Sequence, residues 1–205
     1  MIESTYIELI QEYEVNTNSA TELWSEISTN YSKSSRYYHN LEHLEDLHSQ
    51  LTNEKSKIEN WQVILFTLFY HDIVYKSTKK DNEEKSAELA LKRMTQIGVN
   101  KKHIKLCFDQ IIATKTHEPN PNSDTNFFTD ADLSILGRES SQYKIYCKNI
   151  RKEYSIYSDF LYNKGRKKVI NHFLSMDSIF KTDEFNSQYE RQARKNLKAE
   201  LESLK

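Results

Sequence analysis

Three glycines and two prolines in 205 residues leave few places to break the chain. Sheets need frequent turns built from those residues, so their scarcity predicts a mostly helical protein. Cysteine is equally sparse. Cys107 and Cys147 fall in helix-like stretches without paired spacing and read as reduced, buried and inert thiols of an intracellular protein. Neither sign of charge is in excess, with 29 basic and 30 acidic residues and a formal net charge of -1. At the level of the whole chain there is thus no electrostatic footprint for nucleic acid or an anionic membrane. The longest apolar run, "VILFTLFY" from Val63, is far too short to span a bilayer. Glu3, Glu8, Glu12 and Glu14 in the first stretch argue against a signal peptide, so a cytoplasmic protein is expected.

What is present is aromatic. Thirteen tyrosines and nine phenylalanines can bury enough area to offset the ordering of the chain, which excludes general disorder. No repeat or low-complexity linker divides the sequence, and residues 1–205 are expected to form a single all-α domain, a bundle of about eight to ten helices. Apolar spacing from Ile2 to Tyr31, interrupted by "NTNSAT", predicts two helices. "YHNLEHLEDL" should begin a helix running to about Leu51, and "KIENWQVILFTLFYHDIVYKS" reads as a central buried helix ending near Tyr75. Asp81 and Glu84 suggest a capping box, Gly98 a left-handed helix end, and Asn100 the cap of the next helix. A long loop is expected from His117 through "HEPNPNSDTNFFTD", with "ADLSILG" opening a new helix after it. A long helical segment should run from "SQYKIYCK" to Gly165, then "RKKVINHFLSM", then a charged amphipathic helix over the last 20 residues.

Three features bear on chemistry. His39 and His43 are four apart, which on a helix places them on one face, as metal ligands, a catalytic pair or surface residues. His71-Asp72 follows a strongly apolar run, where an ionisable pair either meets solvent at the helix exit or has a buried partner. Asp130 and Asp132 follow the loop, where acids commonly cap a helix. Together they supply imidazole and carboxylate groups from three helices, and a bundle brings such groups to one interior point. A mixed nitrogen and oxygen sphere suits Mn, Fe, Co, Ni or Zn better than Ca, and three or four protein ligands leave positions open for water and substrate.

The ordered set His43, His71-Asp72, Asp132 resembles the H…HD…D signature of the HD-domain metal-dependent phosphohydrolase superfamily. "YHNLEHLEDL" is similar to the YHNxxHxxD segment of the cyclic nucleotide phosphodiesterases within it, and "TDADLS" to their final-ligand segment. The resemblance covers roughly residues 36–136, with further helices over 139–205, and as a whole the chain resembles uncharacterised bacterial predicted HD-superfamily hydrolases. It implies an HD-domain-like helical bundle in which His43, His71, Asp72 and Asp132 hold one or two divalent ions (Mn, Fe, Co, Ni, Zn or Mg). It also implies that His39 protonates the leaving oxygen and that Asp72 bridges if two ions bind. A nucleotide-like or other small phosphate ester is the implied substrate, either a monoester or a diester, attacked by metal-activated water. The nucleotide-clamping glutamine and aromatic pocket of the phosphodiesterases have no clear match here, which counts against cyclic nucleotides.

His117, Glu83, Arg36 and Lys115 are further candidates for substrate or second-metal contacts. Each has an ordinary alternative as a loop histidine, a helix cap or a surface ion pair. His48, His103 and His172 are assigned to structure or surface. Two other readings stand beside hydrolysis. One is a non-catalytic HD-fold module that binds a nucleotide or a protein partner. The other is a di-iron oxygenase, for which His117 and His103 would be the additional ligands. No membrane or nucleic-acid partner is expected, and the terminal helices permit a homodimer.

Overall fold

Asparagine sets four of the helix starts. In the computed structural model, which describes residues 2–204, Asn16, Asn40 and Asn100 lie in extended backbone ahead of a helix. Their Oδ1 atoms accept the N–H groups of Ser19 (3.0 Å), of Glu42 and His43 (3.0 and 3.2 Å), and of His103 (2.9 Å). Such caps satisfy N–H groups that have no partner inside the helix, each worth about 1 kcal/mol. Ten α-helices result and no strand is present among the described residues, as the shortage of turn formers predicts. No helix there is long and apolar enough to cross a membrane.

The chain forms two compact units that divide at Thr129/Asp130. The first holds α1 (Ile2–Gln11), α2 (Thr17–Tyr31), α3 (Leu41–Asn53), α4 (Trp61–Tyr70), α5 (Asn82–Gln96) and α6 (Lys101–Ala113). Helix α7 (Ser123–Leu133) is one element across the division. Helix α4 is the centre of this unit: every residue from Val63 to Tyr70 is buried, and α1, α3, α5 and α6 pack around it. Polar atoms inside this core find each other. The Tyr6 and Tyr70 hydroxyls lie 2.8 Å apart, and Thr67 Oγ1 lies 2.6 Å from Gln110 Oε1. Cys107 is fully buried with its thiol pushed up to about 12 by burial, so it is inert at neutral pH.

Gly98 takes φ +81° after α5, and the Val99 N–H reaches Met94 O at 2.9 Å, which is the left-handed ending that its position predicts. Asp81 does precede α5, but the capping box is not made. Asp81 pairs with Lys85 (3.0 Å) and Glu84 with Lys115, since a nearby ammonium competes for each carboxylate. The central helix stops at Tyr70 rather than near Tyr75, and the long loop is shorter than expected. Asn122 Oδ1 accepts the Thr125 N–H (2.9 Å), an N-cap pattern that starts α7 at Ser123, seven residues ahead of Asp130. Asp124 in its first turn accepts the Glu59 and Asn60 N–H groups at 2.9 and 2.8 Å. Asp130 and Asp132 thus close a helix instead of opening one.

The second unit contains α8 (Ser140–Glu153), α9 (Asp159–Ser175) and α10 (Asp183–Ser203), the charged amphipathic helix foreseen at the C-terminus. Arg166 of α9 meets Glu200 of α10 through Nε and Nη2 at 2.8 and 2.9 Å, and Tyr143 of α8 donates to the same carboxylate. Burial opposes the Glu200 charge, yet the Arg166 hydrogen bonds and charge hold its pKa below the usual value. The expected break at Gly165 does not occur. Helix α9 runs through it, and the chain turns instead at 154–158, where Ser158 caps α9.

The two interior glycines differ in what a methyl group would meet. A Cβ on Gly165 touches nothing within 4 Å, whereas one on Gly137 would sit 2.4 Å from Tyr189 Cβ and 2.7 Å from Tyr189 O. Gly165→Ala should therefore raise the unfolding free energy by about 0.5–1 kcal/mol, through helix propensity alone. Gly137→Ala should lower it by about 1–3 kcal/mol or more by overpacking against a backbone that cannot move aside. Urea unfolding of the two variants checks both signs.

Candidate metal centre

Helix α3 begins at Leu41, so His39 lies in the bend before it and not on a shared helix face with His43. The helix cannot start earlier because Asn40 uses its side chain to cap it. The two rings nevertheless stay neighbours, with centroids 6.0 Å apart. His39 is held by aromatics: the Tyr75 ring lies along it at 4.3 Å and 31°, and Tyr38 meets it edge-on at 5.0 Å.

His71 is the residue at which α4 ends, and it is 1% exposed. Its Nδ1 lies 3.0 Å from Leu68 O, and a carbonyl only accepts, so the proton is on Nδ1. When neutral, the ring presents the Nε2 lone pair, as a metal-ligating histidine does when its other nitrogen is anchored. That Nε2 is 3.3 Å from His43 Nε2 and 3.3 Å from Asp72 Oδ2. Asp72 Oδ2 is in turn 3.9 Å from His39 Nε2, which places the carboxylate between the two histidines.

Asp132 arrives along α7. Phe128 meets the His71 ring edge-on at 5.4 Å, and Asp132 follows it by one helical turn. One ligand atom each from His43, His71 and Asp132 lies within 4.8 Å of the others, with both histidines buried and Asp132 half-buried. Asp130, two residues earlier, points about 200° away around the helix. It is fully buried and accepts the main-chain N–H groups of Lys181 and Thr182, with Lys181 Nζ at 2.8 Å. Of the two acids, one is structural and one reaches the centre.

The donor set fits a divalent ion. Two nitrogen ligands at about 2.05 Å from a tetrahedral ion lie roughly 3.3 Å apart, the separation found for the two Nε2 atoms. The same separation also suits an N–H···N bond between the rings. A carboxylate from Asp132 in the same group, and another from Asp72 beside His71, add acceptor-only oxygens that a cation satisfies.

The remaining candidates divide. Arg36 is 6% exposed, and its guanidinium donates to His39 O (3.0 Å), Asp72 O (2.7 Å) and Ile73 O (2.9 Å) between the faces of Tyr31 and Tyr75. Those donors serve the backbone of the two segments that carry His39 and Asp72. Lys115 holds Glu84 and Lys80 O (3.0 Å), tying the end of α6 to α5. His117 takes φ +55° just past α6, its N–H on Ala113 O, and is not part of the His43–His71–Asp132 group. Glu83 is half-buried with its pKa raised, mainly by burial and further by the charge of Asp72, so it lies within electrostatic reach of the centre. Tyr75 and Tyr31 had no signal in the sequence as site residues. Tyr75 frames His39, and the Tyr31 hydroxyl accepts the Asp72 N–H at 3.2 Å.

Comparison of the chain with protein-family models, with curated proteins and with solved structures finds no match. The reading of this centre therefore rests on its own geometry.

Glu83 gives the centre a signature in pH. Its folded pKa lies above the ordinary value of 4.5, so the folded state holds the proton more tightly and ionisation destabilises the fold. That penalty begins as pH rises through the unfolded value and is complete above the folded one. Glu83→Gln should thus be more stable than the parent near about pH 7 and lose that advantage near about pH 4. Urea unfolding in the presence of a chelator measures it, and an advantage independent of pH would contradict the assignment.

Proposed function

We propose that the protein is a metal-dependent phosphohydrolase of the HD-domain type acting on a small phosphate ester. The observation that carries this reading is the approach of His43, His71 and Asp132 to one another, with Asp72 3.3 Å from His71 Nε2 and 3.9 Å from His39 Nε2. His43, His71 and Asp132 would hold a divalent ion, with Asp72 at its edge as a further or bridging ligand. Such an ion, when bound, lowers the pKa of water and offsets charge on phosphoryl oxygens.

The chain's own residues supply the rest. His71 is locked in one tautomer by Leu68 O and keeps its ligating nitrogen aimed at His43. His39 stands outside the trio, 18% exposed at its side chain, with its ring fixed by Tyr75 and Tyr38. As water forms its bond to phosphorus and the ester P–O bond breaks, His39 Nε2 gives its proton to the departing oxygen. Arg36 keeps the main chain of His39 and of Asp72 on one guanidinium, so donor and carboxylate hold their spacing. Arrangement of groups before reaction is what makes such proton transfer effective.

A panel of phosphate monoesters and diesters, assayed with Mn, Fe, Co, Ni, Zn and Mg, tests the proposal. Turnover should require metal, vanish in Asp72→Ala, and fall about 10²–10⁴-fold in His39→Ala with metal content unchanged. Stoichiometric metal binding without hydrolysis of any ester would replace catalysis by a binding role. Turnover undiminished in Asp72→Ala would remove the assigned chemistry.

A further inference from the structure

The hairpin of α8 and α9 carries a surface that neither the fold nor the candidate centre uses. The two helices run antiparallel. Arg151 near the end of α8 holds Asp159 at the start of α9 (2.6 Å), and Arg166 reaches back to the hydroxyls of Tyr146 and Tyr143 at 3.3 and 3.4 Å. Arg151 also donates to Tyr154 O and Tyr157 O at 3.1 Å each, so the connection at 154–158 is a built turn. At that turn, apolar side chains stand in water: Ile156 is 72% exposed, Phe160 76% and Leu161 55%.

Charge is segregated to the same place. Residues 138–176 contain nine basic and three acidic residues, a net +6 within a chain of net -1, so the remainder carries -7. Of the three acids Glu153 is buried, and the exposed Asp159 is paired with Arg151, a pair that leaves the net balance unchanged. On α9 the exposed residues Phe160, Lys164 and Lys168 form one row at i, i+4, i+8, beside the row Leu161, Gly165, Val169. On α8, Lys144, Lys148 and Lys152 form a similar row beside the exposed Ile145. The near-zero charge of the whole chain conceals this basic, apolar-tipped element.

We propose that the α8–α9 hairpin docks on an anionic lipid surface, with Ile156, Phe160 and Leu161 entering the boundary between headgroups and acyl chains and the lysine rows meeting lipid phosphates. Shape and chemistry select this occupant. The apolar residues stand 55–76% exposed around the turn, whereas a groove for a partner helix would leave them half-covered. Aliphatic Ile156, Leu161 and Val169 add nothing to a nucleic-acid site, which relies on aromatic stacking. A second copy would bring a like-charged face against this one. Lysines near an anionic leaflet and inserted apolar groups are the two contributions that hold peripheral proteins at a membrane.

Co-sedimentation of the full chain with vesicles tests this, using phosphatidylcholine alone and phosphatidylcholine mixed with phosphatidylserine. Binding is expected only where phosphatidylserine is present, weakening as salt rises. The pair Lys164→Gln and Lys168→Gln should weaken it about thirtyfold. The pair Ile156→Ser and Phe160→Ser should weaken it at the same salt without loss of helix content by circular dichroism. Asp72→Ala should bind like the parent, which separates this surface from the catalytic proposal. Failure to bind anionic vesicles, or binding indifferent to both variant pairs, overturns the proposal. It is likewise overturned if the serine variants bind normally and single-stranded RNA displaces the vesicles, because the surface is then a nucleic-acid site.

Discussion

The apolar helix α4 ends at a buried histidine because the N–H groups just beyond it are taken by other partners, and Arg36 fixes the segment that follows. The Asp72 N–H goes to the Tyr31 hydroxyl (3.2 Å), the Ile73 N–H to Tyr70 O (3.3 Å) and the Val74 N–H to Ser86 Oγ (3.1 Å). None of them continues the helix toward Tyr75, and Arg36 then holds Asp72 O and Ile73 O. A guanidinium removed from water costs several kcal/mol unless its donors are met. Here three carbonyls accept from Nη1 and Nη2 and two tyrosine faces flank the charge, while the buried Nε–H has no hydrogen-bond partner. The consequence is local and geometric. His71 sits at the last turn of the most buried helix, and Asp72 is turned beside it toward His39.

Around that corner, each contributor reaches the centre by a different physical device. An asparagine cap places His43 in the first turn of α3 and leaves His39 outside it. A carbonyl of α4 fixes the tautomer of His71. Helical periodicity turns Asp132 and Asp130 to different sides, so that one carboxylate joins two imidazoles while its neighbour anchors the start of α10. None of these devices is an ion pair on the surface. They act through helix register and through hydrogen bonds that range from exposed at the Asn40 cap to buried at His71.

Much of this is legible in the residues. The all-α class follows from three glycines and two prolines, and the H…HD…D order picks out three residues that meet. What escapes the sequence is set by long-range partners. Asp130 and Asp132 look alike to a reader of "TDADLS", and only the packing of Lys181 and Thr182 on one of them tells them apart. Arg36 looks like a phosphate ligand because charge is legible and burial is not. The start of α7 is hidden by two prolines and three asparagines that suggest a loop, although Asn122 in fact caps a helix. Gly165 looks like a breaker, yet it takes no positive φ and α9 passes through it.

The central claim is that His43, His71 and Asp132 form one divalent-cation site with Asp72 at its margin. Anomalous diffraction from crystals soaked in Mn at the metal's absorption edge tests it most directly. The account predicts a peak bonded to Nε2 of His43, Nε2 of His71 and the carboxylate of Asp132. A peak only elsewhere, or none in crystals whose protein is saturated with metal in solution, would contradict it.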